Sequence, residues 1–247
     1  KIAKKYKKII FSSPFSIKAV DFLEEFNVPV YKIASFEITD YNLINYIASK
    51  KKPIIISTGM ASIKEIKSAI KIIEKYHKKI IILHCVSNYP TKIKDTNLKK
   101  INILKQKFKK YHIGLSDHTD NIFSSIASIP LGVCAIEKHF TIDSQKTPDS
   151  LFSIGPKMMK DLKDSSVELF ESLNKHKEIK VLNKNIKFRR SIYAKNNIGI
   201  NEKITDKNII ALRPKIGICA SQYYKLIGKK LKKNIKVNDP IFKNQIV

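Results

Sequence analysis

Strand-like and helix-like patterns alternate along the first three quarters of this 247-residue chain, which predicts an α/β fold: a (β/α)8 TIM-type barrel lacking its first two βα units, followed by a small, mostly β domain. Three observations carry that expectation. Short β-branched runs are separated by amphipathic stretches of helical period. Each run ends in polar, chemically useful side chains, as expected of a barrel whose site is assembled at the carboxyl ends of many strands. Beyond Lys187 the alternation stops, and short segments punctuated by turn residues take over.

The candidate strands, in order, are Lys8–Phe11, Val30–Ala34, Ile54–Ser57, Ile80–His84, His112–Leu115 and Val133–Glu137. Between them, a helix is expected from near Ser16, with Val20, Leu23 and Phe26 at helical spacing. Tyr41–Ser49 repeats the pattern through Leu43, Ile44 and Ile47. Ser62–Tyr76 places Ile63, Ile66, Ile70 and Ile73 on one face, and Ser62 with Glu65 forms a capping box that fixes its start. A last helix is expected over Pro156–Asn174. A barrel needs eight strands and this pattern supplies six, so the two missing units are expected to precede Lys1. The domain reading is a partial barrel over residues 1–175 (strands 3–8), a lysine- and asparagine-rich linker over 176–186, and the small module over 187–247. In that module, Arg189–Tyr193, Ile209–Pro214 and Asn234–Ile241 are the segments expected to pair.

Each expected strand runs directly into chemistry. The sequences are Phe11-Ser12-Ser13-Pro14, Lys32-Ile33-Ala34-Ser35-Phe36-Glu37, Ser57-Thr58-Gly59-Met60, His84-Cys85-Val86-Ser87, Ser116-Asp117-His118 and Glu137-Lys138-His139-Phe140. A doubly wound sheet concentrates its chemistry at one switch point, and no glycine-rich nucleotide loop occurs here, so the barrel is favoured.

Composition limits the function classes. An apolar share of 43% is enough for a substantial core. No apolar run approaches the roughly 18 residues of a membrane-spanning helix, and the opening Lys1-Ile2-Ala3-Lys4-Lys5 lacks a signal-peptide core. Three scattered cysteines, Cys85, Cys134 and Cys219, argue for a reducing cytoplasm, with Cys134 and Cys219 expected as small buried thiols. The formal charge of +27 invites a nucleic-acid reading, but among 48 basic residues only Arg189, Arg190 and Arg213 are arginine. Specific phosphate and base readers lean on arginine's bidentate fork. Lysine rises here together with isoleucine and asparagine along the whole chain, as a coding bias would produce. A weak, salt-sensitive attraction to polyanions is expected, and no specific nucleic-acid partner.

His118 and His139 follow consecutive strands in similar positions, within reach of one divalent cation on a shared rim; the alternative is a pair of hydrogen-bonded rim residues. His77, His84, His112 and His176 show no such pairing and are expected to be structural or solvent-facing. Lys32 with Ser35, Ser57, Ser87 and Ser116 makes a candidate phosphate cradle, and Gly59 allows close backbone approach. Each serine alone would be an ordinary turn or N-cap residue.

The motifs Lys-Ile-Ala-Ser-x-Glu, Ser-Thr-Gly-Met, His-Cys-x-x-x-Tyr-Pro-Thr, Gly-Leu-Ser-Asp-His-Thr and Glu-Lys-His-Phe-Thr, in this order, resemble the sialic-acid synthases. Pro148–Ser153 fits as well, and Arg213-Pro214 with Leu226–Lys230 resembles the antifreeze-like (SAF) domain that ends those enzymes. The resemblance covers essentially the whole chain. It implies condensation of phosphoenolpyruvate with an amino-sugar aldehyde, releasing phosphate by C–O cleavage. Carried over residue by residue, Lys32, Ser35, Ser57, Ser87 and Ser116 would hold phosphoenolpyruvate. His118 and His139 would hold Mn2+ or Mg2+, which polarises the aldehyde. Glu37, Tyr89 and Asp149 would contact the sugar, with Glu37 also a candidate for proton transfer. Arg213 would reach a partner's active site across a domain-swapped homodimer. Cys85 would be a neighbour of the cradle, not a nucleophile.

Phe11–Phe15 and Phe36 resemble the branch that makes pseudaminic acid from a 2,4-diacetamido-2,4,6-trideoxy hexose of the altrose type. Phe36 offers a flat apolar surface to a 6-deoxy sugar; the bland alternative is that it packs beneath the rim. N-acetylneuraminate or legionaminate synthesis from an N-acetylmannosamine-type sugar is the runner-up. Departures from the family pattern are Asn201 and Asn238 at turn-glycine positions and Ser87 where asparagine is common. The family's Glu-x-x-x-Asn-His and Lys-x-Gln elements are absent, so a complete site is expected only with the segment before Lys1 restored. The other classes weighed are a polyanion or surface-glycan binder using the lysine exterior and a metal-dependent barrel aldolase acting on pyruvate.

Overall fold

The computed structural model describes residues 2–142, 147–174 and 183–247. The chain divides into two compact units, residues 1–175 and 176–247. Residues 176–182 of the expected linker, His176 among them, lie outside the described residues.

The first unit is built on five parallel strands in sequential order: β1 (Tyr31–Ile33), β2 (Ile54–Ser57), β3 (Ile80–Cys85), β4 (His112–Asp117) and β5 (Ile136–Lys138). Sequential parallel order with a helical crossover at each step is the arc of a (β/α) barrel. Single parallel bridges continue it at both flanks, Ser12 to Tyr31 and Phe140 to Ile154. The expected strand over Lys8–Phe11 is therefore corrected to that one bridge at Ser12. Ile9 and Ile10 stay exposed, and β-branched residues form a strand only where a neighbour pairs with them. The last expected strand also begins later, because the left-handed Gly132 ends a 3-10 turn over Ile129–Leu131 just before it.

The helices start and stop where local chemistry dictates. After the short α1 (Ile2–Lys5), α2 (Ile17–Glu25) begins at Ser16, whose hydroxyl accepts from the Ala19 amide. α3 (Tyr41–Ser49) begins at Asp40, and α4 (Ile63–Glu74) carries the reciprocal Ser62–Glu65 capping box. Ile66, Ala69, Ile70 and Ile73 of α4 are buried against the sheet. α5 (Lys99–Lys107), α6 (Phe123–Ser128) and α7 (Pro156–Asn174) complete the layer. α5 escaped the sequence reading because only Ile101 and Leu104 of its nine residues are buried, a thin stripe among lysines. The core is one isoleucine-rich cluster, from Val20 to Leu115.

The second unit contains α8 (Asn183–Ile186), an antiparallel pair of strands, β6 (Ser191–Ala194) and β7 (Ile209–Leu212), and α9 (Tyr223–Leu226). The third expected segment forms bridges only, Ile235 to Ile198 and Pro240 to Tyr193. A core of Ile192, Ile204, Ile209, Leu231 and Ile241 holds the unit. Asn201 (φ 63°) and Asn238 (φ 68°) adopt the left-handed conformation that their places in the turns require, which asparagine tolerates. Two of the three cysteines depart from expectation. Cys134 is exposed and Cys219 half-buried, since neither falls on an inward-facing strand position; only Cys85 is buried.

Candidate functional site

At the carboxyl ends of the five strands lies a cavity of about 490 Å³. Period-two alternation explains its lining. Ser116 on β4 and Glu137 on β5 are register partners and share one face, and two positions further on His118 and His139 return to that face. Lys32 projects from β1, with Ser35 on the turn after it; Ser57 ends β2 and Cys85 ends β3. Thus Lys32, Ser35, Ser57, Ser116, His118, His139 and Tyr89, distant in sequence, line one space.

Hydrogen bonds hold the floor together. The Gly59 amide donates to Ser35 Oγ at 3.0 Å, and the Ser35 hydroxyl faces Cys85 Sγ at 3.6 Å. Ser87 Oγ stands 4.0 Å from the same sulfur, and burial pushes the Cys85 thiol upward, so the sulfur stays protonated. The Ser57 hydroxyl is fully buried and finds no hydrogen-bond partner among the described residues. A buried orphan donor lining a cavity is costly unless a ligand satisfies it. Lys32 Nζ pairs with Glu137 Oε1 at 3.0 Å, which aims the ammonium along the cavity wall.

The two imidazoles lie with ring centroids 5.2 Å apart. His118 Nδ1 is 2.8 Å from the Val86 carbonyl oxygen, and a carbonyl only accepts, so the proton sits on Nδ1. Nε2 then carries the lone pair, with the Ser116 hydroxyl 3.3 Å away. Burial lowers the His118 pKa, so the ring is neutral at physiological pH. His139 Nδ1 lies 3.5 Å from Asp149 Oδ2, which likewise turns Nε2 outward. Two imidazoles, each oriented through Nδ1 by an oxygen acceptor, suit one divalent cation. No group of three or more His, Cys, Asp or Glu side chains is arranged for a metal among the described residues, so the pair would leave coordination places for water and substrate. Tyr89 stacks beside His118 at 4.2 Å between centroids, and burial raises its phenol to about 12.

Four expected site residues stand apart from this lining, the first being Ser87, whose hydroxyl stands beside Cys85. Glu37 closes the 3-10 turn after β1, half-buried, with Oε2 unpartnered, and it does not line the cavity. Asp149 reaches it only through His139. Arg213 is exposed in the second unit. Phe36 is exposed on the rim, with 59% of its surface open, so packing beneath the rim does not explain it. Sequence reasoning missed Ser13, Phe15, Glu137, Phe140 and Lys138 as lining residues, the last with its ammonium engaged by Asp117 and Thr119. Alternation from Ser116 and His139 could have found Glu137.

Comparison with known proteins follows the same division of the chain. The profile of the NeuB family matches residues 1–178, and that of the SAF domain matches residues 189–247. A pseudaminic acid synthase of Campylobacter jejuni is 40% identical over 94% of this chain and 69% of its own length. An N,N'-diacetyllegionaminic acid synthase of the same organism is 37% identical over 97% of this chain and 73% of its own. Among solved structures, the N-acetylneuraminic acid synthetase of Leptospira borgpetersenii in complex with citrate superposes with a TM-score of 0.69. It is 32% identical over 75% of this chain and 66% of that one.

Proposed function

The chain belongs to the NeuB family, and from that premise we propose that it condenses phosphoenolpyruvate with a 2,4-diacetamido-2,4,6-trideoxy hexose to give pseudaminic acid and phosphate. The observation that carries the reading is the convergence of the Lys32 ammonium, the hydroxyls of Ser35, Ser116 and the unpartnered Ser57, and two oriented imidazoles on one strand-end cavity.

In this reading carbon 3 of phosphoenolpyruvate attacks the sugar aldehyde carbon. Water adds at carbon 2, and the C–O bond to phosphate breaks, leaving a 2-keto acid. Lys32 with the hydroxyls of Ser35, Ser57, Ser87 and Ser116 binds the anionic groups and stabilises the departing phosphate. A divalent cation, Mn2+ or Mg2+, held by His118 and His139 would supply Lewis-acid polarisation of the aldehyde. Glu137, paired with Lys32, keeps that ammonium pointed at the phosphate. Tyr89, Asp149 and Glu37 are assigned to the sugar, and Glu37, whose pKa burial raises, is suited to exchanging a proton with water. Phe36 meets the 6-deoxy end of the sugar. The proposal extends to the cytoplasm as the site of action and to a domain-swapped homodimer in which Arg213 serves the neighbouring copy. No helix among the described residues is long and apolar enough to cross a membrane.

The test uses the protein with its natural N-terminus, phosphoenolpyruvate labelled at the bridging oxygen, Mn2+, and each candidate sugar in turn. The expected result is phosphate that carries the label, released with 2,4-diacetamido-2,4,6-trideoxyaltrose and abolished by EDTA. Release with N-acetylmannosamine or the legionaminate precursor instead would establish the runner-up. Unlabelled phosphate, or none with any of these sugars, would overturn the reading.

A further inference from the structure

The last register pair between β4 and β5 is Asp117 with Lys138, and the residue that follows each of them is one of the two histidines. The side chains of Asp117 and Lys138 are 1% and 2% exposed, and Lys138 Nζ lies 3.1 Å from Asp117 Oδ2. Each polar side-chain atom of the pair has a partner. Lys138 donates to the Thr119 carbonyl oxygen and, at 3.0 Å, to Thr119 Oγ1. Asp117 Oδ1 accepts from the Thr119 amide at 2.9 Å, and Oδ2 accepts from the Ser125 hydroxyl of α6 at 2.6 Å. An ammonium has three donors, and all three are used.

Burying two charges is expensive, and hydrophobic replacements of similar volume are often no worse for stability, so a buried pair is better explained by the geometry it imposes. Here that geometry is explicit. Asp117, Thr119 and Ser125 fix the chain on both sides of His118, while Lys138 ties the residue before His139 to the same carboxylate and the same threonine. The geometry points to Asp117, Lys138 and Thr119 as positioning residues: a buried clamp that holds the His118 and His139 imidazoles at the separation a single divalent cation requires. The inference rests on the reading of those two histidines as the cation site.

It is tested on the protein with its natural N-terminus by titrating Mn2+ and reading the free ion by electron paramagnetic resonance, without substrate. The double variant Asp117→Asn with Lys138→Met removes both charges together and leaves no lone ion buried. Its Mn2+ Kd is expected to rise about 10- to 100-fold, the range typical when groups supporting a metal ligand are lost, while the KM for phosphoenolpyruvate stays within about twofold of wild type on the same scale of comparison. Ser62→Ala, which loosens the start of α4 and touches neither histidine strand, is expected to leave the Kd unchanged, separating positioning from general destabilisation. Should the double variant fail to fold, Thr119→Val removes one Lys138 acceptor and keeps the ion pair. Its Kd is expected to rise severalfold, and Thr119→Ser to restore it. An unchanged Kd in a folded double variant, or equal values for the Val and Ser variants, overturns the clamp. Absence of saturable Mn2+ binding in the wild type would instead overturn the cation site itself.

Discussion

Gly59→Ala tests the phosphate cradle directly, because the cradle has no room for a methyl group. A Cβ on Gly59 would stand 2.0 Å from Ser87 Oγ, 3.0 Å from Ser35 Oγ and 3.2 Å from Cys85 Sγ. The first distance is impossible, and the Ser87 hydroxyl is the atom free to move, since it turns on a single torsion. Turning it away removes one donor from the anion. A hydrogen bond to a charged group contributes about 1.5–3 kcal/mol, which corresponds to a rise of roughly 10- to 150-fold in the KM for phosphoenolpyruvate. Steady-state phosphate release at saturating sugar reads that constant, and a thermal melt confirms the fold. Ser87→Ala deletes the same donor without a clash and is expected to give a similar KM. The double variant should then be little worse than either single one, because both changes act on one hydroxyl. A folded Gly59→Ala protein with wild-type KM, or two effects that simply add, would show that Ser87 does not bind the anion.

Phe36→Gly should lower the preference for the 6-deoxy sugar over N-acetylmannosamine about tenfold in kcat/KM, the size expected for loss of an apolar contact to one small group. Because the ring is exposed, the melting temperature should barely move. Ser62→Ala breaks the capping box of α4 and should cost about 1 kcal/mol, or a few degrees in Tm, with activity unchanged. Burial raises the Glu37 pKa above its ordinary value near 4.5, so the folded state holds that proton more tightly than the unfolded chain. Stability from this group is complete below the ordinary value and is lost as pH climbs through the raised one. Glu37→Gln should therefore be more stable than wild type at pH near 7 and lose that advantage in acid, as urea midpoints across pH would show; an advantage that grows in acid would contradict the assignment.

How far the site was legible depended on which side of a strand end carried the signal. Residues that follow β-branched runs, Lys32, Ser35, Ser57, Ser116, His118 and His139, were readable because a parallel strand delivers whatever follows it to one rim. Glu137 and the Asp117–Lys138 pair were not, although they lie in the same motifs. Which partner a strand-end acid or lysine takes is not readable until the register between strands is known, and that register is set by contacts far apart in sequence. The same limit produced the misplaced strand at Lys8–Phe11, where composition favoured extended pairing but only Ser12 found a partner. Among helices, α4 announced itself through its cap and isoleucine face, whereas α5 hid two buried residues among lysines.

Lysine, the most abundant charge on this chain, is also where composition misleads most. Residue type alone cannot distinguish Lys32 or Lys138 from the lysines spread over exposed faces. Each of these two is held by a carboxylate at the strand ends: Lys32 of β1 by Glu137 of β5, and Lys138 of β5 by Asp117 of the adjacent β4. An uncompensated ammonium at the buried Lys138 would cost several kcal/mol, so Asp117 fixes that lysine as firmly as packing fixes an isoleucine. One carboxylate leaves its lysine facing the cavity, where an anion can be met; the other, with Thr119, takes up its lysine's ammonium beside the two histidines. The pairing of each lysine with a strand-end acid, more than the overall charge of +27, is therefore the feature of this sequence that carries chemistry.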